Sequence, residues 1–502
     1  MRQESLIIFI LTIISKLFGF IRQLILSFYF GTSLTTDAYL IAIGIPSFFL
    51  TFVGAAIQTT YMPIFQEVSD TQGESEAQRF TNNLITILSV IVSFILFIVL
   101  IFPEKAIFIF APGFNKESTK LAVDLLKVSI FSVLFVSSTF VIKGYLQMKG
   151  KILVPSIVNL LYTFIWTILV FFAGILSAKL LPYGILFASI FQLIFIIPFL
   201  KGFNFRYNLE LNLNNKYIKK MLRISLPSIV TTATDQVSKI IDKNIVSYIV
   251  IGGISSITFA DRILEFIQAI VVTPISIVIY PRLIKFISSD LDNFKKIISD
   301  SIEIILAILV PTSVLLAFFS TEIVSLMFGR GAFNKNSIEM TSQALFFYSF
   351  GVIGFGLREI LNRGFYALKN TSTPMKNSII SVLLNTMLSI LLSKKYGIGG
   401  ITLATSISNI LFSILLFYQL NLNVKTFISF NFIKNIFKII FSTVLMIIFY
   451  ELFNYFIADF ISLNFIFDSF IMIFIYVFSL YILDYFYIKE IVSLIQHKIR
   501  GR

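Results

Sequence analysis

The sequence has no cysteine, and its one histidine, His497, stands near the end of the chain. The first absence excludes disulfides, thiolate metal sites and cysteine nucleophiles together. The second removes imidazole acid–base chemistry from the apolar region. Charge is scarce too, since Asp, Glu, Lys and Arg make up 13% of the residues. An integral-membrane glycosyltransferase or phosphatase would need a hydrophilic catalytic loop with paired carboxylates or histidine, and none is visible, so the chain reads as no enzyme. Nor is there a nucleotide-binding loop: the glycines of GVIGFG (Gly351–Gly356) lack the Lys-Ser/Thr of a P-loop. Energy for any transport must therefore come from the membrane potential, an ion gradient or the substrate gradient.

What is present is apolar. Of 502 residues, 57% are hydrophobic and 58 are Phe, and the mean hydropathy is +0.91. These values describe an all-α polytopic membrane protein, with no loop long enough to fold alone. Spanning hydrocarbon takes about 20 apolar residues. Fourteen such stretches are expected, centred near residues 17, 49, 91, 133, 164, 190, 236, 268, 309, 350, 383, 409, 445 and 474. The first is too long, and runs too directly into the second, for a cleaved signal peptide. An even number places both termini on one side. The loop Lys201–Arg223 carries Lys201, Arg206, Lys216, Lys219, Lys220 and Arg223, whereas the turns Gly31–Thr36 and Gly252–Ser256 carry no cation. By the positive-inside rule the basic loops and both termini are cytoplasmic. The acidic loop Gln66–Arg79 and the pair Lys394–Lys395 run against this pattern. The net charge of +14 then reports loops near anionic lipid and not nucleic acid.

An internal repeat organises the chain. KGYLQMKGKILVP (Lys143–Pro155) aligns with RGFYALKNTSTP (Arg363–Pro374), PGFNK (Pro112–Lys116) with GAFNK (Gly331–Lys335), and YMPIF (Tyr61–Phe65) with IYPRL (Ile279–Leu283), all at shifts of 218–220. Three ordered matches at one shift mark a duplication. Six spans separate equivalent points, so the copies have the same topology and form a parallel repeat. The expected domains are a first lobe over 1–203, a second over 204–424, and an added helix pair with a tail over 425–502.

Charges inside the spans point to function. Lys16 lies roughly 11–14 residues from either end of the stretch Ser5–Phe30, about 17–21 Å along a helix, and Arg22 follows six residues later. A cation at that depth faces a bundle interior or a watery cavity. Each could pair with a carboxylate on a neighbouring helix, or both could flank an anion site with Gly19 between them. We adopt the second reading. In the span near 268, Asp261 and Glu265 are expected to share a face, leaving Arg262 on another. In the span near 236, Asp235 and Lys239 are spaced for a local ion pair. Arg358 and Glu359 interrupt the Gly-rich span near 350, and Asp468 stands alone in the last span.

SKLFGFIRQLILSFYFGTSLTTDAYLIA (Ser15–Ala42), APGF (Ala111–Phe114), ADRILEF (Ala260–Phe266) and GFYALKNTSTP (Gly364–Pro374) together resemble the MurJ/MviN family, lipid II flippases of the MOP exporter superfamily. The resemblance implies fourteen helices, two lobes around a cationic cavity, and alternating access. It implies as cargo an undecaprenyl-pyrophosphate-linked disaccharide pentapeptide, moved outward across the bacterial plasma membrane for peptidoglycan synthesis. It also implies a groove for the lipid tail on the last two helices. The family's substrate contacts fall on Lys16, where Arg is usual, on Arg22, on Asp37 and on Arg262 with its neighbour Asp261. A further second-helix arginine falls on Leu50. Sodium ligands of some members fall on Asp242, Asn385, Ser389 and Thr405, with Ser389 in place of an acid. No other cofactor is expected, so coupling rests on sodium or on the membrane potential. The expected partners are the lipid-linked substrate and membrane lipids, with the chain acting as a monomer. The alternatives are a superfamily exporter of another polyprenyl-linked glycan or a cation-coupled drug antiporter. Lys16 and Arg22 favour an anionic cargo over a cationic drug.

Overall fold

The computed structural model describes residues 2–203, 205–287, 290–457 and 465–489; His497 lies outside them. In chain order the helices are α1 (Arg2–Phe30), α2 (Leu34–Gln72), α3 (Glu74–Ile101), α4 (Pro103–Phe110), α5 (Lys116–Ser129), α6 (Ser132–Met148), α7 (Val154–Leu176) and α8 (Leu181–Ile196). Next come α9 (Lys216–Ser247), α10 (Gly253–Ile267), a π turn at Gln268–Val272, α11 (Thr273–Ile287), α12 (Leu291–Phe318) and α13 (Ser320–Phe328). The last five are α14 (Lys335–Ala367), α15 (Ser372–Tyr396), α16 (Ile398–Asn423), α17 (Phe430–Ile457) and α18 (Phe465–Ile482). Thirteen stretches among the described residues are long and apolar enough to cross a membrane. The remaining expected span is α9, which has the length at 32 residues but is diluted by its lysines and aspartates. Helix is the only element the bilayer leaves to such segments, because it satisfies its own backbone.

The repeat seen in the sequence reappears as local structure. Asn115 caps α5, accepting from Ser118 N at 2.8 Å, and Asn334 caps α14, accepting from Ser337 N at 2.9 Å. A short helix precedes each cap, α4 in one copy and α13 in the other. An Asn cap satisfies one of the orphan amides of the first turn, so FNK marks the same corner twice.

Contacts divide the chain into two compact units, Met1–Phe259 with Met327–Met340, and Ala260–Leu326 with Thr341–Arg502. In the first, α1 lies along α7. Phe18 meets Phe164 edge-on at 5.1 Å, the Thr167 hydroxyl donates to the Phe18 carbonyl at 3.0 Å, and Gly174 makes room for the Tyr29 ring. In the second, α12, α17 and α18 share a core of Phe319, Met446, Met472 and Tyr476, and the Tyr476 hydroxyl donates to the Ala307 carbonyl at 2.8 Å. Gly354 brings α14 onto α16 so closely that an added Cβ would stand 2.6 Å from Ile410 N, the small-residue contact typical of membrane helices.

Two turns of the first unit interlock. Gly31 has φ 57° and Gly331 φ 63°, both in the left-handed region that disfavours side chains. A Cβ on Gly31 would collide with the Ala332 carbonyl, and one on Gly331 with the Phe28 carbonyl. The same backbones are bonded, Ala332 N to Phe28 O at 2.7 Å, and the Thr32 hydroxyl donates to Ser337 Oγ at 2.6 Å. Gly31→Val should therefore destabilise by about 2–4 kcal/mol, from left-handed strain plus overpacking. Gly19→Ala, in open space on α1, should stabilise slightly, by up to about 1 kcal/mol. Thermal unfolding of the purified variants checks this; a Gly31→Val protein that melts with the parent would refute the interlock.

Candidate substrate site

On α1, Lys16 is exposed and Arg22 half-buried. At 100° per residue they sit about 120° apart around the helix, with Gly19 midway. No atom lies within 4 Å of a Cβ built on Gly19. The two cations thus border an open strip of helix surface.

Arg22 is held by aromatic rings. Its guanidinium lies 3.6 Å from the centroid of the Trp166 ring on α7. Trp166 Nε1 donates to the Tyr39 hydroxyl on α2 at 3.0 Å, and the Tyr162 ring meets Trp166 at 5.6 Å. Trp166 and Tyr39 are buried, at 7% and 1% exposure, so the platform is rigid. Stacking on a desolvated indole contributes about 2 kcal/mol. It also fixes the orientation of the planar guanidinium, whose N–H fork grips phosphate oxygens bidentately.

Asp37 is placed differently from the cations. It is 2% exposed, and its two oxygens accept from Gly252 N and Ser255 N, each at 2.7 Å. A carboxylate on the first amides of α10 satisfies orphan donors and opposes the positive end of the helix dipole. The Asp37 oxygens are thus occupied by protein amides, and the residue ties α2 to the start of α10.

Sequence reasoning did not single out Trp166, although it is the chain's one tryptophan. It also missed a buried polar group around Lys143, which is 8% exposed. Lys143 donates to Asn159 Oδ1, and Gln192 Nε2 reaches the same oxygen at 3.4 Å.

In the second unit Arg262 forms an ion pair with Glu265, three residues on. The expected separation of Arg262 from the acidic face is thereby corrected: i,i+3 neighbours also share a helix face, and Arg262 leans onto it. Asp261 stands beside this pair in sequence. Arg358 and Glu359 do not pair with each other. Glu359 accepts from Arg363 Nη2 at 2.7 Å and from the Ser276 hydroxyl at 3.0 Å, while Arg358 lies over the Phe412 ring at 4.7 Å. Asp468 is buried, and its Oδ1 has no hydrogen-bond partner among the described residues. Leu50, at the family's arginine position, is buried in the first unit at 8% exposure.

The expected sodium ligands fall into two groups. Asn385 and Ser389 are buried one turn apart on α15, with Ser389 Oγ 3.5 Å from Asn385 Oδ1. The Thr405 hydroxyl on α16 donates to the Ile401 carbonyl at 3.1 Å. These supply neutral oxygens only. The charged member, Asp242, is buried on α9 in the first unit. No group of three or more His, Asp or Glu able to hold a metal ion occurs among the described residues.

Residues 26–476 match the family model described as Lipid II flippase MurJ. The chain belongs to the MurJ family. It is 29% identical over 439 residues to the probable lipid II flippase MurJ of Thermotoga maritima, covering 87% of each chain. It is 27% identical over 449 residues to that of Buchnera aphidicola subsp. Baizongia pistaciae, covering 88% of this chain and 87% of the relative. A solved structure of lipid II flippase MurJ in an inward closed conformation matches with a TM-score of 0.82 at 26% identity, over 97% of this chain and 100% of that one. An inward-facing MATE multidrug transporter of the MOP superfamily shares the fold, with a TM-score of 0.68 at 14% identity over 82% of this chain and 94% of that one. The MurJ family thus accounts for nearly the whole chain.

Arg22→Ala should abolish transport while leaving expression and membrane insertion intact, and Trp166→Leu should slow it by roughly tenfold through loss of the platform. Lys16→Arg should be tolerated and Lys16→Gln should fail, since the site needs charge at that depth. Rescue of a strain depleted of its own flippase reads all four. Wild-type rescue by a stably expressed Arg22→Ala protein would end the anion-site reading.

Proposed function

We propose that this chain carries lipid II from the cytoplasmic to the outer leaflet of a bacterial plasma membrane by alternating access, with both termini cytoplasmic and without making or breaking covalent bonds. The observation that carries this reading is the open Gly19 strip between Lys16 and the stacked Arg22. A pyrophosphate crossing the hydrocarbon needs fixed cations in a site closed to lipid, while its prenyl chain needs no carrier and stays in the bilayer. Arg22 supplies the planar fork, and Lys16 a mobile point charge. In this reading Asp37 is a latch at the outer end: opening there requires Gly252 and Ser255 to leave its carboxylate, and closing restores both bonds. The chain works as a monomer.

The cargo is tested by depletion. Lipid II should accumulate on the cytoplasmic leaflet when the protein is withdrawn, as measured by accessibility to an externally added lipid II-cleaving toxin. Accumulation of a different polyprenyl-linked glycan, with lipid II unchanged, would assign the chain to that cargo instead.

Coupling follows from the donor set. Of the four residues that the resemblance assigns to sodium, Asp242 alone carries a charge. We expect sodium to contribute little and the membrane potential to act on the cavity cations. One elementary charge moved through 100 mV is worth about 2.3 kcal/mol, a shift of roughly 50-fold in a two-state equilibrium. Flipping in proteoliposomes should respond to a potassium diffusion potential and ignore a sodium gradient at fixed potential. A steep sodium dependence that disappears in Asp242→Asn would restore the ion site.

A further inference from the structure

Within the second unit, a cavity of about 680 Å³ opens where α12 and α17 begin and where the chain continues past α18. None of the residues assigned above to transport lines it. Its wall carries both signs of charge. At the mouth Lys296 and Lys434 are exposed, beside an exposed Asp292 that pairs with Lys295; deeper, Asp300 and Lys438 are half-buried and Glu303 lies at 4% exposure. Seven residues separate Lys296 from Glu303 on α12, about 10 Å along the axis.

Glu303 takes its side-chain hydrogen bond from a neutral group, Asn435 Nδ2, at 2.8 Å, and Tyr487 lines the cavity together with Asp300. An ionised carboxylate has about four acceptor sites, so each acid retains capacity toward a donor in the cavity. A simple anion entering past the lysines would run onto Asp300 and Glu303. A simple cation would have to pass Lys296 and Lys434. A ligand with a phosphate at one end and a primary ammonium at the other satisfies both the lysines and the acids.

The surroundings specify that this ligand is a lipid. Phe430, Ile433 and Phe437 stand at i, i+3 and i+7 on α17, one continuous stripe, and are 81%, 57% and 66% exposed. Phe486, which lines the cavity itself, is 63% exposed. A polar pocket beside an apolar stripe is the complement of an amphiphile, and charged pockets between membrane helices are where phospholipid headgroups lodge.

We propose that this cavity holds the headgroup of one aminophospholipid of the phosphatidylethanolamine type. Its phosphate rests on Lys296 and Lys434, its ammonium on Asp300 and Glu303, and its acyl chains along the α17 stripe. A choline head fits less well, because its trimethylammonium has no N–H to donate and is bulkier.

The test reconstitutes the full chain in nanodiscs of equal parts phosphatidylethanolamine, phosphatidylcholine and phosphatidylglycerol with matched acyl chains. Native mass spectrometry then counts the lipids retained on gentle delipidation. One phosphatidylethanolamine per chain should remain, enriched about tenfold over phosphatidylcholine, the discrimination of one or two charge-assisted hydrogen bonds. Retention of the bound lipid should be lost in the Lys296→Gln, Lys434→Gln double variant, whose positions are exposed, and the enrichment over phosphatidylcholine should fall in Asp300→Asn. Equal retention of ethanolamine and choline lipids would overturn the proposal. So would preferential retention of phosphatidylglycerol, or lipid retention that is unchanged in the double lysine variant.

Discussion

A cation inside hydrocarbon costs at least a few kcal/mol unless the protein surrounds it, and at Arg22 the chain meets that constraint with the face of Trp166. The platform is anchored by Tyr39, whose hydroxyl accepts the indole N–H. Two residues earlier on the same helix, Asp37 takes the first amides of α10. One turn of α2 therefore fixes both the ring beneath the cation and the corner where α10 starts. Two residues on a helix point about 200° apart, so the two contacts face opposite sides of α2. A displacement of α2 would therefore disturb the Trp166 contact and the α10 corner together.

The spans were legible because the bilayer imposes a length that soluble proteins do not. The exception is informative. α9 is a helix of membrane length whose composition resembles a surface helix, because Asp235, Lys239, Asp242 and Lys243 interrupt it. The repeated FNK was legible as a duplication, and the structure supplies its meaning as a helix cap. The cations on α1 could be placed at depth by counting residues. Their surroundings could not be, since no periodicity says which of many rings lies under a guanidinium. Arg262 failed for a narrower reason. Residues three and four apart are both neighbours on a helix, so Glu265 shares a face with Arg262 as well as with Asp261, and opposite charge selects Arg262. Lys143 was read only as the start of a repeated segment, whereas it is buried against Asn159.

Polar groups within the units are matched by several chemistries. Arg22 meets an indole, Lys143 an amide, Arg363 the Glu359 carboxylate, and Asp37 a pair of backbone amides. A neutral partner such as Asn159 holds the Lys143 charge in place without cancelling it. A fully compensated pair such as Glu359–Arg363 instead does the work of a strut, joined through Ser276 to α11.

The π turn at Gln268–Val272 bears on how this chain can change over evolutionary time. A π turn accommodates one residue more than the α-helix around it, and Pro274 just beyond already lacks the amide that would close a regular turn there. Deleting one residue within those five would let α10 and α11 fuse into one uninterrupted helix. The fusion would rotate the Arg262 end about 100° against the Ser276 end. The bulge thus acts as a phase adjuster. It uncouples the facing of the charged half of the rod from that of the strut-bearing half, so a single-residue insertion or deletion at this point re-aims one without rewriting the other.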